Sequence, residues 1–379
     1  MPDYSLPFLD RLLTPALAIY LDAVENNIQF TLELLRGDAG RWRPHVKTTK
    51  ISAIMRMLVE RGVVHFKCAT TLELLTACRA GATDVLVAYP LVGANAQRVR
   101  EIAAEFPAVR VSALVENPDQ VRQWQGSRIG LFVDINPGMD RTGVEEAHGD
   151  EIVALARHIA GAGVEFRGLH YYDGHLHDEN LARRCQQAHL GYDRLMQIAA
   201  AVLEAEIEVG ELITAGTPAF PCSLSYVPFG SRDLVHRVSP GTIVYGDTTS
   251  AAQLPSDYRY RPAALVIARI VSHPRPNIVT CDAGHKTVSA DAGIPNCMVL
   301  GRPELKPLQP SEEHLPLEVA PGAPVPAVGE VLYIVPRHVC PTVNNFDHAL
   351  LVRDGRILSV EPVSARGREA PLRETAATA

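Results

Sequence analysis

The run Arg43-Pro44-His45-Val46-Lys47-Thr48-Thr49-Lys50 sets a lysine just past a short extended segment. Pro44 forces extended geometry on its neighbour, and polar residues then end the segment. A lysine at the carboxyl end of a barrel strand points into the mouth of a site. Desolvated there, it loses its proton more readily, and its amine can attack an aldehyde. On composition alone Lys47 reads equally as a surface lysine closing a strand, and Lys50 and Lys67 keep that reading. A second group is His338-Val339-Cys340, after the apolar run 331–335. In an extended segment residues i and i+2 share a face, so the imidazole and thiolate would converge on one divalent ion. Zinc accepts both ligands, with manganese or cobalt as alternatives, and two protein ligands leave positions open for substrate. The competing reading is a pair of buried structural residues. A third group is Gly216-Thr217 and Gly241-Thr242, each after a strand-like segment. Glycine lets backbone N–H groups approach an anion, and threonine adds a hydroxyl donor. Taken singly, each is an ordinary turn. His170 and Tyr172 end another strand and are placed to meet a bound ring or substrate, although His170 reads as well as a satisfied core histidine.

The elements that must position these groups alternate. Strand patterns are expected over 16–22, 42–48, 65–70, 84–89, 109–115, 130–135, 166–172 and 208–215. Helical patterns fall between them at 23–35, 51–60, 72–80, 95–105, 151–160 and 180–205. Strands alternating with helices of this length imply parallel βαβ units, and about eight such units over roughly 230 residues fit a (β/α)8 barrel. No Gly-x-Gly-x-x-Gly follows a strand, which disfavours the dinucleotide-binding open sheet. After about residue 250 the texture changes to strand runs with Pro- and Gly-rich connections, at 263–272, 277–282, 331–335 and 348–362. The expected organisation is an α/β chain. Its barrel spans 14–248, a C-terminal β domain spans 249–366 together with 1–13, and a frayed polar tail covers 367–379.

The 379 residues carry a net charge of −7. The basic residues are dispersed, which argues against nucleic acid as a partner. No apolar run approaches the roughly 20 residues that span a bilayer, so no membrane partner is expected. The segment Met1 to Leu13 holds Asp3 and Asp10 and does not read as a secretion signal. Seven cysteines at irregular spacing make no disulfide framework. A reducing cytoplasm is the expected location.

The lysine run resembles the Arg-Pro-His-x-Lys-Thr signature of the D-threonine aldolase and D-serine dehydratase family. The resemblance extends over nearly the whole chain, in order, through Thr14-Pro15-Ala16, Thr71-Leu72-Glu73, Met139-Asp140-Arg141-Thr142-Gly143, Gly216-Thr217-Pro218, Ser239-Pro240-Gly241-Thr242 and Pro336-Arg337-His338-Val339-Cys340-Pro341. It implies an alanine-racemase-like barrel binding pyridoxal 5'-phosphate through a Schiff base on Lys47. Arg141 would contact the phenolic oxygen, and Tyr245 would lie near the phosphate. It also implies a divalent metal on His338 and Cys340, with Glu313-His314 lining the same site. The role of Asp282-Ala283-Gly284-His285 stays open. Many members carry histidine two residues after the lysine; here Thr49 stands there, and that proton-transfer role does not carry over. The activity implied is a lyase reaction on a small β-hydroxy-D-amino acid. Retro-aldol cleavage to glycine and an aldehyde is the first expectation, and dehydration to a keto acid and ammonia the alternative. A racemase on the same barrel is a further alternative, which would need a second acid/base residue and no metal pair. A homodimer is implied by the resemblance alone.

Overall fold

The computed structural model describes residues 4–6, 9–231 and 234–372. Part of the expected N-terminal segment 1–13 and residues 373–379 of the expected tail lie outside this range. Within the described part of the tail, Glu369 pairs with Arg98 at 2.9 Å.

Among the described residues one sheet is built of parallel pairs. Its order is His65–Cys68, Asp84–Val87, Arg110–Val115, Gly130–Asn136, Phe166–Tyr171, Glu211–Thr214 and His236–Val238. The two edge strands are joined by residues 42–46. Trp42 bridges Val238 and His45 bridges Lys67, both in parallel sense. The Arg43 N–H donates to the Val238 carbonyl (2.9 Å), and the Lys67 N–H donates to that of Pro44 (3.0 Å). The ring is thereby closed, with helices such as Leu181–Glu204 packed outside it. The helices fall within a residue or two of their expected limits, as apolar faces at a 3.6-residue period require.

The second sheet is largely antiparallel and holds Ala264–Arg275, Ile278–Cys281, Val331–Pro336 and the hairpin His348–Arg353/Arg356–Pro362. The run 348–362, read as one strand, folds back at Asp354-Gly355, where both residues have positive φ, the geometry of a two-residue hairpin turn. Ala16–Tyr20 belongs to this sheet too. It pairs antiparallel with Ala264–Arg275 and parallel with His348–Arg353. This corrects the expectation that the barrel begins at residue 14. The strand is buried on both faces, so it needs neighbours on both sides, and that pattern does not say which sheet supplies them.

The barrel interior is layered by the two-residue alternation of its strands. At one end Arg43 donates to Glu211 at 2.9 Å and to Asp84 at 2.8 Å, and Arg167 donates to Asp84 at 2.7 Å. All four are buried. Burial works against ionisation of both carboxylates, but the arginine charges overcome it and hold Asp84 and Glu211 below the usual carboxylate range. Above lies an apolar layer of Leu86, Leu114, Phe132 and Ile213. At the other end the interior turns polar again, with His45, Lys67, Asp134 and His170. Removing Arg43 would leave two buried carboxylates short of a partner. Arg43→Met is expected to lower the unfolding free energy by about 3–5 kcal/mol in urea titration at neutral pH, and a loss below about 1 kcal/mol would contradict this role.

Candidate active site

The polar end of the barrel opens into a cavity of about 370 Å³. That lies in the range of small-molecule sites, roughly 300–1,000 Å³. Lys47, Tyr172, Gly216, Thr217, Gly241, Thr242, His338 and Cys340 all line it. Residues 190 or more apart in sequence thus meet at one opening.

Local structure explains how each is held. After Val46 the chain turns: the Lys50 N–H donates to the Val46 carbonyl (3.0 Å), and the Lys47 N–H donates to His45 Nδ1 (3.2 Å). Lys47 therefore leaves the strand at its carboxyl end. Gly241 lies against this strand so closely that a Cβ would sit 2.4 Å from the His45 carbonyl oxygen. Gly216 faces the Tyr172 ring, where a Cβ would be 3.0 Å from Cε2. Its N–H donates to Asp173 at 3.2 Å, so it is not the open anion donor that the sequence argument gave it. Ser239 supplies a better candidate. It lines the cavity, and its Oγ is buried with no hydrogen-bond partner among the described residues. A buried hydroxyl in that condition calls for a polar ligand.

The Met139–Gly143 loop is pinned from below. Asn136 Oδ1 accepts the N–H groups of Gly138 (3.1 Å) and Asp140 (3.0 Å), and Thr142 Oγ1 donates to Asp134 at 2.7 Å. Arg141 is held with its guanidinium 4.8 Å from the Tyr172 ring centroid. It meets the cavity through that ring and does not line it. Tyr245 does not line it either. The ring is buried, and its hydroxyl donates to the Thr49 carbonyl at 2.8 Å, so that hydroxyl is not free to meet an anion. His170 is buried at the barrel mouth, with Nδ1 2.7 Å from Asp134 and Nε2 3.3 Å from Lys67 Nζ. Burial and the Lys67 charge lower its pKa, against the pull of Asp134.

His338 and Cys340 converge, but not through an extended segment. His338 is the last extended residue, and helix Val339–Asn344 begins after it. The first helical turn brings the thiol back to the imidazole. Burial opposes charge on both. Their mutual hydrogen bond nevertheless raises His338 to about 9, with Asp291 helping, and lowers Cys340, with Lys47 helping. Cys340 Sγ lies 3.0 Å from Thr48 Oγ1, next to Lys47 in the chain. Asp291 Oδ2 is 2.7 Å from His338 Nδ1, so the other ring nitrogen is the one left for a ligand. Among the described residues no cluster of three or more His, Cys, Asp or Glu side chains with metal-binding geometry occurs. Glu313-His314 stands away from the cavity in an exposed turn, with Glu313 3.4 Å from Lys286. Asp282 is structural, accepting from Thr14 (2.6 Å) and the Arg269 N–H (2.8 Å).

Sequence reading missed Lys67, Ser239, Thr48 and Asp291. Lys67 carried a legible signal: it is the single charged residue in His65–Cys68, a four-residue strand that is buried throughout except at its first position. Lys50 is not a surface residue either; it is buried against Glu73 at 2.8 Å.

A parallel barrel with an amine in its mouth, capped by an antiparallel domain, is the alanine-racemase-like class of pyridoxal phosphate enzyme. A model of the alanine racemase N-terminal domain matches residues 19–249, and one described as a putative serine dehydratase domain matches 263–352. The chain belongs to the D-threonine aldolase and D-serine dehydratase family. It is 29% identical to a D-threonine aldolase of an Arthrobacter species, over 95% of this chain and 94% of that one. It is 28% identical to a 3-hydroxy-D-aspartate aldolase of Paracoccus denitrificans, over 96% and 95%. The crystal structure of D-threonine aldolase from Filomicrobium marinum superposes with a TM-score of 0.86 at 30% identity, covering 94% of this chain and 97% of that one. Among the described residues no helix is long and apolar enough to cross a membrane.

Proposed function

We propose that this chain is a lyase for β-hydroxy-D-amino acids that uses pyridoxal 5'-phosphate on Lys47 and a divalent metal on His338 and Cys340, cleaving substrate to glycine and an aldehyde. The observation that carries the proposal is the convergence of the Lys47 amine, the unpartnered Ser239 hydroxyl and the His338–Cys340 pair on one cavity. A cytoplasmic homodimer belongs to the same reading and rests on the family.

The residues fit both groups. Ser239, Thr217 and Thr242 supply hydroxyls for a phosphate, and Arg141 supplies a fixed positive charge beside Tyr172. An imidazole and a low-pKa thiol are ligands that zinc accepts, with manganese or cobalt possible for the imidazole. The cofactor supplies electron withdrawal from the bonds at the substrate Cα, and the metal supplies polarisation of the β-hydroxyl. The protein's own part is positional. Lys47 would hold the cofactor and give way to the substrate amine. Tyr172, backed by Arg141, Gly174 and Gly216, walls one side of the cavity. Asp291 fixes the ring orientation of His338. Losing the β-hydroxyl proton leads to Cα–Cβ cleavage; losing the Cα proton first leads to dehydration.

Dehydration is the second reading, favoured by the serine-dehydratase match over 263–352. Incubating the enzyme, supplied with both cofactors, with D-threonine separates the two. Glycine and acetaldehyde are expected; 2-oxobutanoate and ammonia would assign the dehydratase, and no product from D-threonine, D-serine or 3-hydroxy-D-aspartate would contradict the lyase assignment. Outer carboxylates that orient a ligating histidine typically contribute 10–100-fold to metal affinity. Asp291→Asn is therefore expected to weaken zinc binding by about that factor, read by chelator competition, with unchanged affinity as the contrary result.

A further inference from the structure

The groups so far assigned leave one buried amine without a task. Lys67 lies in the centre of the barrel mouth, lines the cavity, and is almost fully buried. It stands in register with His45 on the neighbouring segment, and register partners in a parallel pair project to the same side. Lys47 follows two residues after His45, in the turn that closes this segment, and lines the same cavity. Two lysine side chains so placed reach the same space. Behind Lys67 a hydrogen-bonded series runs away from the cavity: Lys67 Nζ to His170 Nε2 at 3.3 Å, His170 Nδ1 to Asp134 Oδ1 at 2.7 Å, and Asp134 Oδ2 to Thr142 at 2.7 Å.

We propose that Lys67, backed by His170 and Asp134, is the proton-exchanging partner of Lys47. This rests on the assignment of Lys47 as the cofactor-bearing amine. An ammonium cannot attack an aldehyde, so Lys47 must give up one proton before its carbon–nitrogen bond forms and must recover it when the substrate amine takes its place. Lys67 accepts that proton as a neutral amine and returns it as an ammonium. No electrons are transferred, and the water released by condensation carries away the aldehyde oxygen. The arrangement fills the acid/base role left open where Thr49 replaces histidine.

The electrostatics agree. Burial, and then the Lys47 charge, lower Lys67 to about 7, while Asp173 and Asp134 pull the other way and Arg141 adds to the lowering. His45, on the adjoining segment, is held well below its usual value by burial and by the two lysines. His170 is lowered as well. Of these shifted groups, Lys67 is the one brought to about 7. The Tyr172 ring, 5.4 Å from Lys67 Nζ, closes the remaining side. Lys67 is thus charged below about pH 7 and neutral above it.

The test uses the apoenzyme and needs no turnover. Stopped-flow mixing with pyridoxal phosphate follows the visible absorbance of the lysine-linked cofactor as a function of pH. Wild type is expected to speed up through an inflection near pH 7. Lys67→Met should slow uptake by about 100-fold, the lower range for a positioned acid/base group, and lose the inflection. Lys67→Arg keeps a positive charge but does not deprotonate, and should be as slow as Lys67→Met. Wild-type rates in both variants, or a Lys67→Arg variant matching wild type, would overturn proton exchange. A second measurement does not depend on the variants folding. Competitive acetylation of wild-type apoenzyme, read at Lys67 by mass spectrometry, should titrate near 7, and titration near the ordinary lysine value of about 10.4 would overturn the inference. Failure of wild-type protein to take up cofactor would instead defeat the Lys47 assignment, which keeps the two failures apart.

Discussion

Closure of the parallel ring through residues 42–46 is the constraint on which the site depends. That segment is short and makes only isolated bridges to its two neighbours, so its backbone alone holds it weakly. Arg43 supplies the anchor, fully buried between Glu211 and Asp84. Isolated buried charges are strongly unfavourable, and they persist here because donors and acceptors are matched across several strands. Once Arg43 is fixed, the two-residue period of the strand fixes His45 inside the mouth, and the turn after Val46 sets Lys47 at its edge. A structural ion network at one end of the barrel therefore sets the position of the amine at the other.

The second constraint is the junction between the two sheets. Thr48 Oγ1 lies 3.0 Å from Cys340 Sγ, and Asp247 accepts the Val339 N–H at 3.1 Å. These contacts seat the first turn of helix Val339–Asn344 on the barrel rim. They bring a thiol and an imidazole to an amine nearly 300 residues away in sequence. The Lys47 charge helps to lower Cys340, so the acidity of the thiol depends on the other domain. The site belongs to the interface between the sheets.

Much of this was legible in the sequence, for physical reasons. Long helices announce themselves through apolar period, and the lysine run, the Gly-Thr turns and His-x-Cys were each visible as chemistry. What was not legible depended on neighbours supplied by the fold. The strand Ala16–Tyr20 is apolar on both faces, and its pattern is silent on which sheet takes it. Cys340 reaches His338 by a helical turn that the apolar strand before it did not foreshadow. Tyr245 was placed by resemblance beside an anion, yet its hydroxyl is spent on the Thr49 carbonyl. Glu313-His314 fits a family pattern but stands in an exposed turn. Lys67 was passed over because a lysine near a strand end is usually solvated; only the closed ring shows that it has no route to solvent except through the cavity.

The central claim is that the amine at position 47, of all the amines in the chain, bonds to the cofactor aldehyde. Reduction of the pyridoxal phosphate complex with sodium borohydride makes that bond permanent, and peptide mapping by mass spectrometry locates it. The expected result is a single reduced adduct on the peptide bearing Lys47. An adduct on Lys67 or Lys50, or none on any peptide from a protein that has bound the cofactor, would contradict the account.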